Sequence, residues 1–201
     1  MTAHQERHEG QRKDQREGQR EGQRKGQRAD QLAEARRLAE FHGLQPLPVE
    51  GGLFRQTWAG EPDAAGRPSG TAIMVLLTSA PGDFSALHRL PTDEVWHFYR
   101  GDALELLLLG PDGTARRILL GGPEGTVQYV VKAGTWMGAR VAPGGAWSLF
   151  GTTMAPGFLP TDYEGGDAED LSLRYPEQAV LVRELCRPDA PLTMTEGDDD
   201  A

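Results

Sequence analysis

The chain has 201 residues, a net charge of −9 and charged side chains at 25% of its positions. This length suits one domain of about 150 residues beside a polar head. Residues 1–30 carry eight Lys or Arg and six Asp or Glu, which leaves a net charge of −11 on the rest. An acidic body argues against nucleic-acid binding, because that function needs a basic face.

Compartment and membrane contacts are constrained by two further features. No apolar run approaches the roughly 18 to 20 residues that a membrane-spanning helix needs, and the N-terminus has no apolar signal segment. The single Cys186 excludes an intramolecular disulfide and fits a reducing interior. We therefore expect a cytoplasmic protein that binds neither nucleic acid nor membrane.

The N-terminal head is an imperfect repeat of the EGQR type over residues 9–28. It has no aliphatic or aromatic side chain to bury, so nothing offsets the entropy lost on ordering. We predict that residues 1–29 form a disordered tail rich in Arg, Glu, Gln and Gly. A transient helix and a partner-binding arm are the alternatives.

A helix is predicted to follow the head, from Asp30 to about His42. Asp30 is a favoured N-cap residue, and five residues are spaced to form one apolar stripe: Leu32, Ala35, Leu38, Ala39 and Phe41. The helix should end at the next residue, a glycine, which is the usual residue after a helix.

From residue 53 onward the pattern changes to short β-type runs separated by Gly, Pro and Asp turns. Nine strands are predicted: Leu53–Trp58, Thr71–Thr78, Ser85–Arg89, Glu94–Arg100, Leu104–Leu109, Ala115–Leu120, Val127–Val131, Trp136–Val141 and Ser148–Thr153. Many short strands at about ten-residue spacing indicate a sandwich or barrel. A helix from about Pro176 to Cys186 and an acidic flexible tail over residues 188–201 are predicted to complete the chain.

The segment most suggestive of chemistry is FSALHRLPTDEVWHFYRG, residues 84–101. His88 and Glu94 flank a Pro-Thr-Asp turn between two predicted strands, so both side chains can point into one barrel interior. A His and a Glu placed in this way can hold a divalent metal or perform acid–base chemistry.

Strand alternation assigns faces to the aromatic residues that follow. If Glu94 points inward, Trp96 and Phe98 share its face. Val95, His97 and Tyr99 then point outward, where they offer a partly apolar surface for a twofold contact. His97 could join a metal site only if a bulge reversed its face. We expect a homodimer.

The same segment resembles the first motif of the cupins, in which two His, a Glu and a Gly mark two strands of the barrel. His88, Glu94 and Gly101 match this motif, but Leu90 stands where the second His is expected. The second cupin motif corresponds to residues 132–137, where Met137 stands at the position of the last metal-binding His.

Other parts of the chain are similar to one branch, the cupin-5 family (domain of unknown function 985). The similar pieces are Pro48–Arg55, Thr71–Ile73, residues 84–101, Ala133–Trp136 and Ala155–Phe158. The resemblance implies an all-β fold, a double-stranded β-helix (jelly-roll, cupin) barrel with a short N-terminal helix and a C-terminal helix. It places a single domain over residues 30–187 and fixes no activity.

The implied pocket defines the candidate site. The predicted catalytic residues are His88 and Glu94, which are also the two candidate metal ligands. The predicted ligand-binding residues are Glu50, Phe54, Arg55, Trp96, Phe98, Trp136 and Met137. Two of the four usual metal ligands are absent, so whether a divalent metal binds or His88 and Glu94 simply pair is left open.

Three functions are considered. The favoured one is binding, with chemical transformation by His88 and Glu94, of a small organic molecule such as a sugar-like compound or metabolite. The alternative is a metal-free cupin that binds or senses a small molecule without turning it over. A third, less favoured comparison is with sugar-nucleotide epimerases that share the barrel (the RmlC-like enzymes), since Glu94 replaces their lysine and would repel an enolate.

Overall fold

The computed structural model describes residues 3–195, with side chains for residues 22, 23 and 25–195. The helices are α1 (Ala3–His42), α2 (Ala168–Arg174) and α3 (Ala179–Glu184). The strands are β1 (Gln45–Pro46), β2 (Leu53–Ala59), β3 (Thr71–Thr78), β4 (Ser85–Arg89), β5 (Glu94–Gly101), β6 (Leu104–Leu109), β7 (Ala115–Leu120), β8 (Gln128–Val131), β9 (Trp136–Val141), β10 (Trp147–Met154) and β11 (Glu164–Gly165).

The strands form two antiparallel sheets that face each other. One sheet has the order β1-β2-β3-β10-β5-β8, and the other has the order β11-β4-β9-β6-β7. Side chains from the two inner faces form one core that includes Val75, Leu106, Met137 and Phe150. The predicted all-β jelly-roll barrel is confirmed, and each of the nine predicted strands is present with ends within two residues of its prediction.

The leucine run of β6 shows how the barrel is covered on the outside as well as filled. Leu104, Leu106 and Leu108 point into the barrel core. Leu107 and Leu109 point outward into a second cluster formed with α2 and α3. A strand buried on both faces reads as a continuous apolar run rather than an alternating one, which explains this sequence.

The C-terminal half of α1 covers part of the outer face of the six-stranded sheet, over β3 and β10. Phe41 of the predicted apolar stripe is not buried there, since it is 82% exposed. Ala35 and Ala39 are buried against Leu76, Trp147 and Leu149. The small alanine side chains let the helix approach the sheet closely, while the opposite helix face carries exposed charges.

The predicted N-terminal helix is confirmed, but α1 begins at Ala3 and not at Asp30, so helical backbone also occupies residues 3–29. Arg28 adds a contact beyond the predicted start, donating a hydrogen bond to the Ser79 carbonyl oxygen at 3.0 Å. Gln, Glu, Arg and Lys are good helix formers. The C-terminal half of α1, which is docked on the sheet, already provides the first helical turn, whose formation is costly. The residues before it can therefore extend the helix at little further cost.

The C-terminal region also differs from its prediction. The predicted helix from Pro176 to Cys186 is a short 3₁₀ turn followed by α3, and α2 was not predicted. The segment after residue 187 returns to the barrel: the Leu192 carbonyl oxygen accepts a hydrogen bond from Gly165 N at 2.7 Å, and Met194 is buried. The part of the predicted tail after residue 195 lies outside the described residues. None of the described helices is long and apolar enough to span a membrane.

The packing of α1 predicts that replacing a buried alanine by a large polar residue destabilises the protein. Ala35→Gln should lower the free energy of unfolding by about 1–3 kcal/mol, because the larger side chain cannot fit between helix and sheet. Arg36→Gln, on the exposed face of the same turn, should change it by less than about 0.5 kcal/mol. Urea unfolding followed by tryptophan fluorescence measures both. Equal effects of the two variants would contradict the docking of this helix.

Candidate functional site

A cavity lies inside one end of the barrel, where the chain crosses from one sheet to the other. His88 is on β4 and Glu94 is the first residue of β5, and the turn between them passes from the five-stranded sheet to the six-stranded sheet. Asp93 holds this turn, because its carboxylate accepts hydrogen bonds from Lys132 Nζ at 2.7 Å and Ala133 N at 2.9 Å. Lys132 is therefore tied to the turn and not to the cavity.

The cavity has a volume of about 60 Å³. At about 10–15 Å³ for each water molecule, this gives room for a few waters or one small organic molecule. Its lining residues are Leu47, Pro48, Glu50, Phe54, Gln56, Thr71, Ile73, His88, Leu90, Glu94, Thr152, Met154, Phe158, Tyr163 and Met194. The wall is thus mainly apolar, with a small number of polar groups, as in many small-molecule sites.

His88 is held in one orientation and one tautomer. Its Nδ1 lies 2.8 Å from the carbonyl oxygen of Ala86, and a carbonyl oxygen can only accept a hydrogen bond. Nδ1 therefore carries the proton, and in the neutral imidazole Nε2 is left with a lone pair. The ring stacks on Tyr163, with ring centroids 5.2 Å apart and planes 19° from parallel, so it cannot rotate freely.

Glu94 is a buried carboxyl group with few partners. Trp96 Nε1 donates a hydrogen bond to its Oε2 at 2.8 Å, and Thr152 supplies another. Burial raises the pKa of Glu94, and the negative charge of Glu50 raises it further, while the charge of His88 and the two hydrogen bonds oppose the rise. Burial is the largest of these effects, so Glu94 holds its proton to a higher pH than an ordinary glutamate does.

Glu50 is brought to the cavity by an unusual turn. Its backbone N donates to the Pro48 carbonyl oxygen at 2.5 Å, which closes a three-residue turn around Val49 at φ +61°. A γ-turn with positive φ is strained for a β-branched residue. The Glu50 side chain accepts a hydrogen bond from Ser85 Oγ at 2.6 Å, so its carboxylate is fixed at the edge of the cavity.

Gly51 and Gly52 follow this turn in conformations that favour glycine. Their φ values are +98° and +85°. A Cβ on Gly51 would lie 2.8 Å from the Phe84 carbonyl oxygen, and a Cβ on Gly52 would lie 2.7 Å from Leu77 Cδ2. Both positive φ and close approach therefore require glycine after Glu50.

Tyr163 closes the side of the cavity next to His88. It is 4% exposed, and burial raises the pKa of its phenol above the ordinary value, with the charge of Glu50 acting in the same direction. Its hydroxyl therefore stays protonated and is available as a donor. The neighbouring loop is held by Arg67, which binds both carboxylate oxygens of Asp162 at 2.5 and 2.9 Å.

Five of the seven predicted ligand-binding residues do not line the cavity. Arg55 is exposed on β2. Trp136 faces outward into the cluster beneath α2 and α3. Strand alternation explains this, because its neighbour Met137 points into the barrel core.

Trp96 and Phe98 also pack in or against that core, and Trp96 reaches the site only through its hydrogen bond to Glu94. Glu50 and Phe54 do line the cavity.

Several lining residues were missed by the sequence analysis. Thr152 and Met154 alternate along β10, and Thr71 and Ile73 alternate along β3, so strand periodicity could have found them. Tyr163 and Met194 lie outside the long strands. No periodic signal marks such positions, and only the path of the chain brings them to the cavity.

His97 belongs to the outer face of the barrel. Gln128 Nε2 donates to its Nδ1 at 3.0 Å, and its Nε2 lies 3.1 Å from Thr153 Oγ1. No bulge turns it toward His88, so it is not a third ligand in the cavity. Burial raises the pKa of the Cys186 thiol to about 11, so this cysteine is a poor nucleophile near neutral pH.

Comparison with known proteins agrees with the barrel geometry. The profile described as "Cupin superfamily (DUF985)" matches residues 36–165, which is more than half of the chain. The chain belongs to this family. A protein from Shewanella oneidensis, known from its X-ray crystal structure, is 30% identical with a TM-score of 0.68, and the similarity covers 76% of this chain and 96% of that one. A hypothetical protein from Leishmania major is 27% identical with a TM-score of 0.64, over 74% of this chain and 96% of that one. No curated protein matches.

The donor set of this cupin does not fit a tightly held metal ion. His88 and Glu94 are suitable ligands, but the two other motif positions are Leu90 and Met137, which bring a hydrocarbon and a soft thioether to the barrel interior. The Glu94 carboxyl group is also engaged by Trp96. Among residues 22, 23 and 25–195, no group of three or more His, Cys, Asp or Glu is arranged to hold a metal.

The raised pKa of Glu94 predicts a pH dependence of stability. A carboxyl group whose pKa is higher in the folded state stabilises the fold at low pH and loses that contribution as pH rises through the folded pKa. Glu94→Gln keeps a hydrogen-bond acceptor for Trp96. Because glutamine does not ionise, the variant lacks the fall in unfolding free energy that Glu94 causes as pH rises. The difference in unfolding free energy, variant minus wild type, should therefore increase from pH 4 to pH 8, by about 1.4 kcal/mol for each tenfold difference in acidity between folded and unfolded Glu94.

Urea unfolding at a series of pH values measures this difference. Glu124, an exposed residue in the loop after β7, provides the matched control for the loss of one negative charge. For Glu124→Gln, the difference in unfolding free energy from wild type should change little with pH. If Glu94→Gln became less stable than wild type as pH rises, the pKa of Glu94 would be lowered by folding, and the description of the site would be wrong.

Proposed function

We propose that this cupin binds a small organic molecule in the barrel cavity and moves a proton to or from it through His88 and Glu94. One observation carries the proposal: the same cavity is lined by an imidazole whose Nδ1 donates to the Ala86 carbonyl oxygen and by the carboxyl group of Glu94, whose pKa is raised by burial. A base and an acid in different environments are a common basis of acid–base catalysis.

The roles follow from the positions of the groups. His88 Nε2 accepts a proton from the ligand, and Glu94 donates one. Tyr163, with its protonated hydroxyl, offers a hydrogen bond to an oxygen or nitrogen of the ligand, and Glu50 contacts a polar group at the edge of the cavity. The reaction class is an isomerisation or elimination in which one bond to hydrogen is broken. Epimerisation of a sugar nucleotide stays less favoured, because Glu94 supplies no positive charge to an enolate.

Binding without turnover is the second candidate function. Leu90 lines the cavity at one position where the cupin motif has a metal-binding His, and Ile73, Met154 and Phe158 make the wall strongly apolar. A site of this composition supports selective binding of a small molecule in the absence of chemistry. The two candidates differ in whether a bound ligand exchanges a proton.

Hydrogen–deuterium exchange on the ligand distinguishes proton transfer from binding without turnover. The ligand that co-purifies with the protein is identified by native mass spectrometry and incubated with the protein in D₂O, and deuterium incorporation at carbon is followed by NMR. Wild type should catalyse incorporation, and His88→Gln should slow it by about 10²–10⁴-fold, since a general base contributes about that much. His97→Gln, on the outer face of β5, is the matched control and should exchange at the wild-type rate.

The outcomes are distinct. A ligand that binds at the wild-type level to His88→Gln but exchanges slowly supports proton transfer by His88. A ligand that binds to wild type without any incorporation supports the binding-only function instead. Equal exchange by wild type and His88→Gln would rule out the proposed role of this histidine.

We propose that this site works without a resident metal. Elemental analysis of protein purified without chelators should find iron, manganese, zinc and nickel each well below one ion per chain, because two good ligands hold such ions only weakly. A stoichiometric metal that disappears in His88→Gln but is retained in His97→Gln would overturn this expectation.

The homodimer and the cytoplasmic location stay predictions. The outward side chains that suggested a dimer include Tyr99, which is half-exposed, while His97 is engaged by Gln128 and Thr153 on the same face. A partly apolar sheet face of this kind favours self-association, and the mass in light scattering at micromolar concentration tests it.

A further inference from the structure

The cavity is lined by carboxyl groups but by no lysine or arginine among the described residues. Its ionisable lining residues are Glu50, His88, Glu94 and Tyr163. Tyr163 stays neutral, so the groups that can carry charge are two carboxyl groups and one imidazole. A bound anion would meet Glu50 with only His88 able to offset the repulsion.

Arg187 binds the backbone around Glu50, and no ion pair joins it to the Glu50 carboxylate within the described residues. Arg187 donates from Nε to the backbone carbonyl oxygen of Glu50 at 3.3 Å and from Nη2 to the Phe84 carbonyl oxygen at 2.9 Å. Its guanidinium group also lies 4.2 Å from the centre of the Phe84 ring. The hydrogen bond to the Glu50 carboxylate comes instead from the neutral hydroxyl of Ser85, so a cationic ligand could be its charged partner.

The geometry points to a small organic cation, such as an ammonium group on a short apolar body, as the ligand of this cavity. This inference rests on the proposed function of the same site. Glu50 at the cavity edge pairs with the cationic group, and the lining rings of Phe54 and Phe158 add aromatic groups of the kind that attract cations. The apolar body fits between Ile73 and Met154, close to the two groups that move the proton.

The fixed position of Glu50 strengthens the argument. A carboxylate on a flexible loop would lose entropy on pairing with a ligand, whereas the turn at Val49 and the hydrogen bond from Ser85 hold this one in place before binding. The partial exclusion of water from the cavity raises the strength of the ion pair above that of a surface pair.

Three probes with the same four-carbon body test the charge of the ligand. Butylammonium, 1-butanol and butyrate are titrated into the full-length protein at millimolar concentrations, and binding is measured by ligand-observed NMR, with Ile73 methyl shifts reporting occupation of the cavity. Wild type should bind butylammonium at least about tenfold more tightly than butyrate. Glu50→Gln, which still accepts from Ser85, should reduce this ratio to less than about threefold, and Glu124→Gln should leave it unchanged.

The results test two claims separately: that the ligand is a cation, and that the cavity binds small organic molecules. A preference for butyrate, or equal binding of butylammonium and butyrate by wild type, overturns the cationic ligand while leaving a small-molecule cavity intact. An ammonium preference that survives in Glu50→Gln also overturns it, because the preference would then come from the overall negative charge. If none of the three probes shifts the Ile73 methyl signals, the cavity does not take small organic molecules and both the inference and the proposed function fail.

Discussion

A carboxyl group inside a β-barrel loses the water that would stabilise its charge, and in this cupin that group is Glu94. Trp96 and Thr152 replace only part of the lost hydration, so the neutral acid is favoured. The same lack of water strengthens every electrostatic contact that a ligand makes in the cavity. The chemistry we propose for His88, the pH dependence of stability and the preference for a cation all depend on this dry interior.

The fold creates that interior by covering the barrel on several sides. Docking of α1 covers part of the outer face of the six-stranded sheet, and α2 and α3 cover part of the outer face of the other. The core fills most of the barrel with leucine, methionine and aromatic side chains. The cavity is left at the end where β5 begins, and the turn at Val49 and the segment carrying Met194 close over it. Glu50 reaches the cavity because this closing loop is bent by a strained turn, so the loop both excludes water and supplies a charge.

The sequence predicts the barrel well and the site only in part. Strands β3, β4, β6, β7 and β9 have the predicted bounds, because Gly, Pro and Asp turns mark their ends. The pair His88 and Glu94 was also predictable, since a short turn between two strands places both side chains inward. Trp136 was assigned to the pocket although its neighbour Met137 already occupied the inward face. Tyr163 and Met194 reach the site only through the long-range path of the chain, which local sequence does not reveal. Residues 3–29 extend a helix that is fixed by packing further along the chain, so their local sequence did not predict it either.

A carbon-13 NMR titration of the Glu94 side-chain carboxyl, assigned by its disappearance in Glu94→Gln, measures the protonation of this group in the folded protein. The carboxyl signal should move with pH at a midpoint clearly above the ordinary value for a glutamate side chain, because burial outweighs the hydrogen bonds and the charge of His88. A midpoint at or below the ordinary value of about 4.3 would mean that Glu94 is an ordinary carboxylate, and the proposed division of acid and base roles in the cavity would be wrong.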